Sequence, residues 1–143
     1  MDARREEPFF VIAGFGLPGR TLADYLRAKH IRFCVIELNV QTVARLSAAG
    51  LPIIAGDARE EQILRQAGIE RASVLAVMLP EQSDSLATVE RARRINPNVK
   101  IIARCRYVSG GLEAHRLGAD RTIVAEEAVA RELLSMIQSQ FQI

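Results

Sequence analysis

Six short apolar runs punctuate the chain: "PFFVIAG", "RFCVIEL", "LPIIAG", "SVLAVML", "VKIIAR" and "RTIVAE". Each is continuously apolar rather than alternating, the pattern of parallel strands covered on both faces. Between them apolar positions recur at helical spacing. Leu22 and Leu26 share a face, as do Val40, Val43 and Ala44, then Leu86, Val89 and Ala92. Strand–helix alternation repeated six times predicts an α/β fold, a Rossmann-like doubly wound parallel six-stranded sheet in the order 3-2-1-4-5-6. No long linker or low-complexity segment breaks the pattern, so residues 1–143 read as a single domain.

The last helix, from about Glu127 to Gln140, carries more apolar surface than one contact needs. Ala130, Leu133, Leu134, Ile137 and Phe141 form one stripe, and Val129 and Met136 widen it. One face is expected to cover the sheet. The surplus predicts a second buried contact, a partner subunit, the alternative being a frayed, partly exposed terminal helix.

Composition narrows the class. A chain of 143 residues, 49% hydrophobic and 25% charged, can bury one good core. Its net charge of +2, from 19 basic and 17 acidic residues, is too balanced to imply nucleic acid. The cluster Arg91, Arg93 and Arg94 has no interleaved aromatics to stack bases and reads as a solvated helix face. The apolar runs are far shorter than the roughly 20 residues of a membrane helix. The start, "MDARREEPFF", lacks the apolar core of a signal peptide, so a cytosolic chain, or the cytosolic part of something larger, is expected.

Two cysteines and two histidines make no spaced metal motif. Cys34 and Cys105 fall on strands two and five and read as small buried hydrophobes. In the predicted order those strands lie about 14 Å apart, at roughly 4.8 Å per spacing, too far for a disulfide. His30 falls at a helix end and His115 on a helix face, both as structural or solvated residues.

The stretch "VIAGFGLPGRTLADYL" carries the chemistry. Gly14, Gly16 and Gly19 follow the first strand, open a helix, and have the spacing of a turn that offers backbone N–H groups to phosphate. Glu37 ends the second strand, beside Leu38. A carboxylate there accepts ribose hydroxyls and repels the 2′-phosphate of NADP. Pro18 suits a first helical turn but removes one N–H, which weakens the phosphate grip without abolishing it. Arg20 lies just beyond. Asp57 after the third strand either caps the next helix or lines an adenine rim on which Ala58 leaves room. Arg104 ends the fifth strand, facing either a ligand phosphate or Glu126 and Glu127. No nucleophile stands beside a base, and no second domain holds a co-substrate, which argues for binding without catalysis.

In order, "VIAGFGLPGRTLADYL", "VIELN", "AGDA", "AGIERASVLAV", "NPNVKIIARCR" and "LGADRTIVAEE" resemble RCK N-terminal (KTN, TrkA-N) domains. The likeness runs from about residue 9 to 137 and is strongest to the cytosolic C-terminal domain of Kef-like cation:proton antiporters. The resemblance implies a homodimer that binds AMP, ADP, ATP or NAD(H) at the inner face of the membrane and gates a potassium channel or antiporter. The family's phosphate turn falls on Gly14, Gly16 and Gly19, its ribose acid on Glu37, its "GDA" on Gly56, Asp57 and Ala58, and its "AR" arginine on Arg104. Two departures matter. Leu17 and Pro18 stand where relatives often carry Arg after the second glycine, and "LPEQSDSL" replaces their paired acids and Asn. A monophosphate demands less of such a turn, so AMP is slightly favoured over NAD(H). The rival expectations are a small NAD-dependent oxidoreductase, or a fragment of one, and a dimerisation scaffold whose nucleotide site has decayed.

Overall fold

The computed structural model describes residues 6–143. The first five residues, part of the start read above against a signal peptide, lie outside the described residues. The chain runs β1 (Phe9–Ala13), α1 (Leu17–Ala28), β2 (Arg32–Glu37), α2 (Val40–Ala48), β3 (Ile53–Ala55), α3 (Glu61–Ala67), a 3-10 turn (Ile69–Arg71), β4 (Val74–Val77), α4 (Gln82–Ile95), β5 (Lys100–Cys105), α5 (Val108–Leu117), β6 (Arg121–Val124) and α6 (Ala125–Phe141). The strands pair in parallel, in the order β3-β2-β1-β4-β5-β6. This is the predicted Rossmann-like sheet.

The strands are apolar throughout because each supplies side chains to two cores. Ile12, Val35 and Ile53 pack with Ala23 and Leu26 beneath α1 and α2. Val11, Ile36, Leu75, Val77, Ile101 and Ala103 pack on the opposite face with Leu64, Val89 and Ala114 of α3, α4 and α5. The turn of direction between β1 and β4 opens a crevice at the carboxyl ends of the strands, where ligands of open α/β sheets bind.

Four expectations need correcting. In α2 the inward residues are Val43 and Leu46, while Val40 and Ala44 are exposed, because the short helix lies at the sheet edge. Arg93 is not solvated. Its guanidinium reaches the carbonyls of Gly118, Pro97 and Val99 at 2.8–2.9 Å and Asp120 at 2.9 Å, tying the end of α4 to the start of β5 and to the α5–β6 loop. Arg91 and Arg94 do face solvent, near Glu61 and Glu90. Thirdly, α6 does not cover the sheet: it has no buried residue, and Leu133, Leu134 and Phe141 stay 57–66% exposed. Ile123, on the α1 side of β6, is 46% exposed as well, so the β6 edge of that face lacks a covering helix among the described residues. The fourth, at Asp57, belongs to the crevice.

Cys34 is half-buried and Cys105 buried, both as free thiols whose pKa burial pushes up. His115 Nδ1 lies 2.9 Å from the Ala119 carbonyl, a structural contact. His30 takes a left-handed φ of 57° just past the end of α1.

Candidate functional site

The crevice is a cleft of about 660 Å³, within the usual range for small-molecule sites. Its floor is set by backbone bonds that hold the strand ends together. The Gly14 N–H donates to the Ile36 carbonyl at 2.9 Å, the Gly56 N–H to Glu37 at 3.0 Å and the Met78 N–H to Ala13 at 2.8 Å. Gly14 has φ of +98°, and a Cβ there would lie 2.7 Å from the Met78 carbonyl oxygen, so this position admits only glycine.

Seven of the ten candidate residues line the cleft: Gly14, Gly16, Glu37, Leu38, Asp57, Ala58 and Arg104. Three do not. Gly19 is buried under the turn, where a Cβ would meet the Gly14 carbonyl oxygen at 2.0 Å, so it lets α1 approach β1. Leu17 starts α1 with its side chain 79% exposed, outside the cleft wall. Pro18 is the second residue of that helix and points no N–H along its axis. Gly16 is the N-cap, so Gly16, Leu17 and Gly19 keep N–H groups without helical carbonyl partners. The turn loses one donor to Pro18 and keeps three.

At the end of β2, Glu37 Oε2 accepts the Asn39 N–H at 3.0 Å, which fixes the carboxylate and leaves Oε1 for a ligand. Asn39 in turn caps α2, accepting the N–H groups of Gln41 and Thr42 at 3.0 Å. Asp57 does not cap α3. That helix begins after Glu60, and Asp57 instead accepts the Arg59 N–H at 2.9 Å. It also takes the Arg59 guanidinium, through Nε at 3.0 Å and Nη2 at 2.6 Å. The Arg59 guanidinium holds the Asp57 carboxyl below its ordinary pKa. Arg59 Nη1 further reaches Asp84 at 3.3 Å in the first turn of α4. Arg59, Glu81 and Asp84 are the charged lining residues that sequence reasoning missed. Their signal lay in "GDAR" and in "PEQSD", which only the fold juxtaposes.

Arg104 lines the cleft and has no carboxylate partner among the described residues. Neither Glu126 nor Glu127, the partners considered for it, forms an ion pair with it, and Glu126 accepts the Val108 N–H at 3.2 Å instead. The cleft is therefore polarised. Arg104 and the open start of α1 make one end cationic, while Asp57 and Asp84 pair with the cation Arg59 at the other. A second cleft, of about 510 Å³, opens at the amino end of β5, where Arg93 is already consumed by carbonyls.

Residues 10–125 match the TrkA-N domain family, and the chain belongs to it. It is 30% identical over 129 residues to the putative cation/proton antiporter YbaL of Escherichia coli strain K12. That match covers 90% of this chain and 23% of YbaL, so the chain spans about a quarter of that relative's length. The crystal structure of the YbaL TrkA-N domain superposes with a TM-score of 0.86 at 29% identity, over 90% of this chain and 96% of that one. The structure of GsuK bound to ADP gives 0.82 at 26% identity, covering 96% and 36% of the two chains. The Kef C-terminal domain of Shewanella denitrificans in its AMP-bound form gives 0.70 at 22% identity, over 90% and 80%, a likeness of fold alone. No described helix is long and apolar enough to cross a membrane.

Proposed function

We propose that this TrkA-N domain is a non-catalytic nucleotide sensor that regulates a transporter, antiporter or channel for potassium or another monovalent cation. Its ligands are AMP, slightly favoured, or NAD(H); ADP and ATP are accommodated and NADP is refused. The observation that carries this reading is convergence in one cleft. The open N–H groups at the start of α1, reached at Gly16 in the cleft wall, a pinned carboxylate with a free oxygen at Glu37, and at Arg104 a guanidinium without a carboxylate partner among the described residues meet the phosphate and ribose of one nucleotide. The ADP bound to GsuK supports an adenine nucleotide. The loss of one donor at Pro18 is the reason for preferring a monophosphate. The cleft's ionisable groups are Glu37, Asp57, Arg59, Glu81, Asp84 and Arg104, with no nucleophile set against a base among them.

The signal leaves through α6, which we propose as a homodimer contact at the cytoplasmic face of the membrane. Its stripe of Leu133, Leu134, Ile137 and Phe141 is exposed, as is Ile123 on the uncovered edge of the sheet. A second copy that covers both would give each an apolar partner. A hydrogen-bonded route joins cleft and helix. Gln82, between Glu81 and Asp84, accepts the Arg106 and Tyr107 N–H groups at 3.3 and 3.4 Å. The next N–H, from Val108, donates to Glu126 in the first turn of α6. Ligand shifts the dimer only by its difference in affinity for two arrangements.

Calorimetric titration with AMP, ADP, ATP, NAD⁺, NADH and NADP⁺, on the wild type and on Glu37→Ala, tests the reading. Binding of AMP or NAD(H) that Glu37→Ala abolishes, with none for NADP⁺, supports it. Silence from every nucleotide would favour the dimerisation scaffold, and turnover of any hydride donor would favour the oxidoreductase.

A further inference from the structure

We infer that Arg59 is the base-reading platform of this cleft, a guanidinium whose edges are tied off by Asp57 and Asp84 so that its flat face is presented to an aromatic base. The inference deepens the nucleotide reading and rests on it. Along the cleft the strand ends follow one another at about 4.8 Å per step. A phosphate on the turn after β1 and a ribose on Glu37 after β2 direct the base toward the turn after β3, where Arg59 sits.

The polar contacts of Arg59 lie along its edges. Nε and Nη2 form a hydrogen-bonded fork on Asp57, and Nη1 makes an ion pair with Asp84 at 3.3 Å. Such a guanidinium has less to offer a phosphate, since its charge is matched by two carboxylates and its Nε–Nη2 fork is taken by Asp57. What remains is the planar surface, on a side chain still half-exposed. Arginine stacks on aromatic faces through that surface, and a plane already fixed by two carboxylates loses little freedom in doing so. The ion pair with Asp84 bridges the β3–α3 turn and the start of α4, so stacking engages the two sides of the crevice together.

A base-stacking arginine and a phosphate-binding arginine differ in what they lose when changed. The test compares AMP with ribose 5-phosphate, which has the phosphate and sugar but no base, by NMR titration of the wild type, Arg59→Ala and Arg59→Lys. Circular dichroism of each variant establishes that it folds. Lysine keeps the charge and lacks the plane. Stacking predicts that both substitutions weaken AMP about five- to tenfold and leave ribose 5-phosphate within about twofold. Asp84→Asn, which loosens the plane, should weaken AMP by a smaller factor in the same pattern.

Equal losses for AMP and ribose 5-phosphate in Arg59→Ala would make Arg59 a phosphate ligand and overturn the inference. So would AMP binding that is unchanged in both Arg59 variants, or full rescue by lysine; in these cases the nucleotide reading stands. If the wild type binds no AMP while binding ribose 5-phosphate, the base platform fails. If it binds neither, the nucleotide reading fails first and this inference with it.

Discussion

Gly16 and Gly19 look alike in the sequence and should behave oppositely when each is changed to alanine. A Cβ on Gly19 would lie 2.0 Å from the Gly14 carbonyl oxygen and 3.1 Å from its carbon. Ordinary carbon–oxygen contacts begin near about 3.3 Å, so the start of α1 must retreat by about 1 Å. Gly14 cannot readily yield in its place, since its N–H is held by the Ile36 carbonyl. Overpacking of this kind costs about 3 kcal/mol, against which alanine recovers about 1 kcal/mol of helix propensity. The net loss of about 2 kcal/mol should lower Tm by about 8 °C for a domain of this size, read by circular dichroism on heating. Gly16 has open space around its Cβ position and an ordinary φ of −75°. Gly16→Ala should therefore keep its stability to within about 1 kcal/mol of N-cap preference. Its methyl group enters the cleft, and AMP should bind about tenfold more weakly, close to 1.4 kcal/mol. A Gly19→Ala protein that melts within about 2 °C of wild type would refute the packing argument.

Arg93→Met keeps the aliphatic stem but strands the carbonyls of Gly118, Pro97 and Val99, and should cost about 2–4 kcal/mol in urea unfolding with nucleotide affinity unchanged. Asp120 accepts the Ile101 N–H, which holds its carboxyl below the ordinary value, with Arg93 and Lys100 adding to the shift. Its contribution is complete above the unfolded pKa of about 3.9 and is lost as pH falls through the lower folded value, so Asp120→Asn should flatten the acid limb of a stability–pH curve. Leu133→Asp with Leu134→Asp should convert the proposed dimer to a monomer in sedimentation velocity while leaving the melting of the sheet domain intact, because neither residue is buried in one chain.

The sheet order was legible because six uninterrupted apolar runs permit few arrangements other than strands covered on both faces. The glycine turn and Glu37 were legible for a related reason: they occupy strand ends, and strand ends in a parallel sheet share one edge. What escaped depended on how far a long side chain reaches. Arg93 belongs to a run of arginines that looks solvated, yet its neighbours are carbonyls from two other segments. Asp57 has the position of a helix cap, but α3 starts three residues too late for it, and the freed carboxylate turns to Arg59. Arg59 meets Asp84 only after β4 is laid beside β1. In α6 the apolar stripe was evident, whereas its direction away from the sheet is set by the exit from β6, which no periodicity encodes.

A crystal structure of the chain with AMP bears most directly on the central claim, that this cleft is a nucleotide site. The account predicts phosphate within hydrogen-bond distance of the Gly16, Leu17 and Gly19 N–H groups, ribose hydroxyls on Glu37, and the base beside Arg59. AMP elsewhere, or a cleft left empty while AMP is bound in solution, would contradict it.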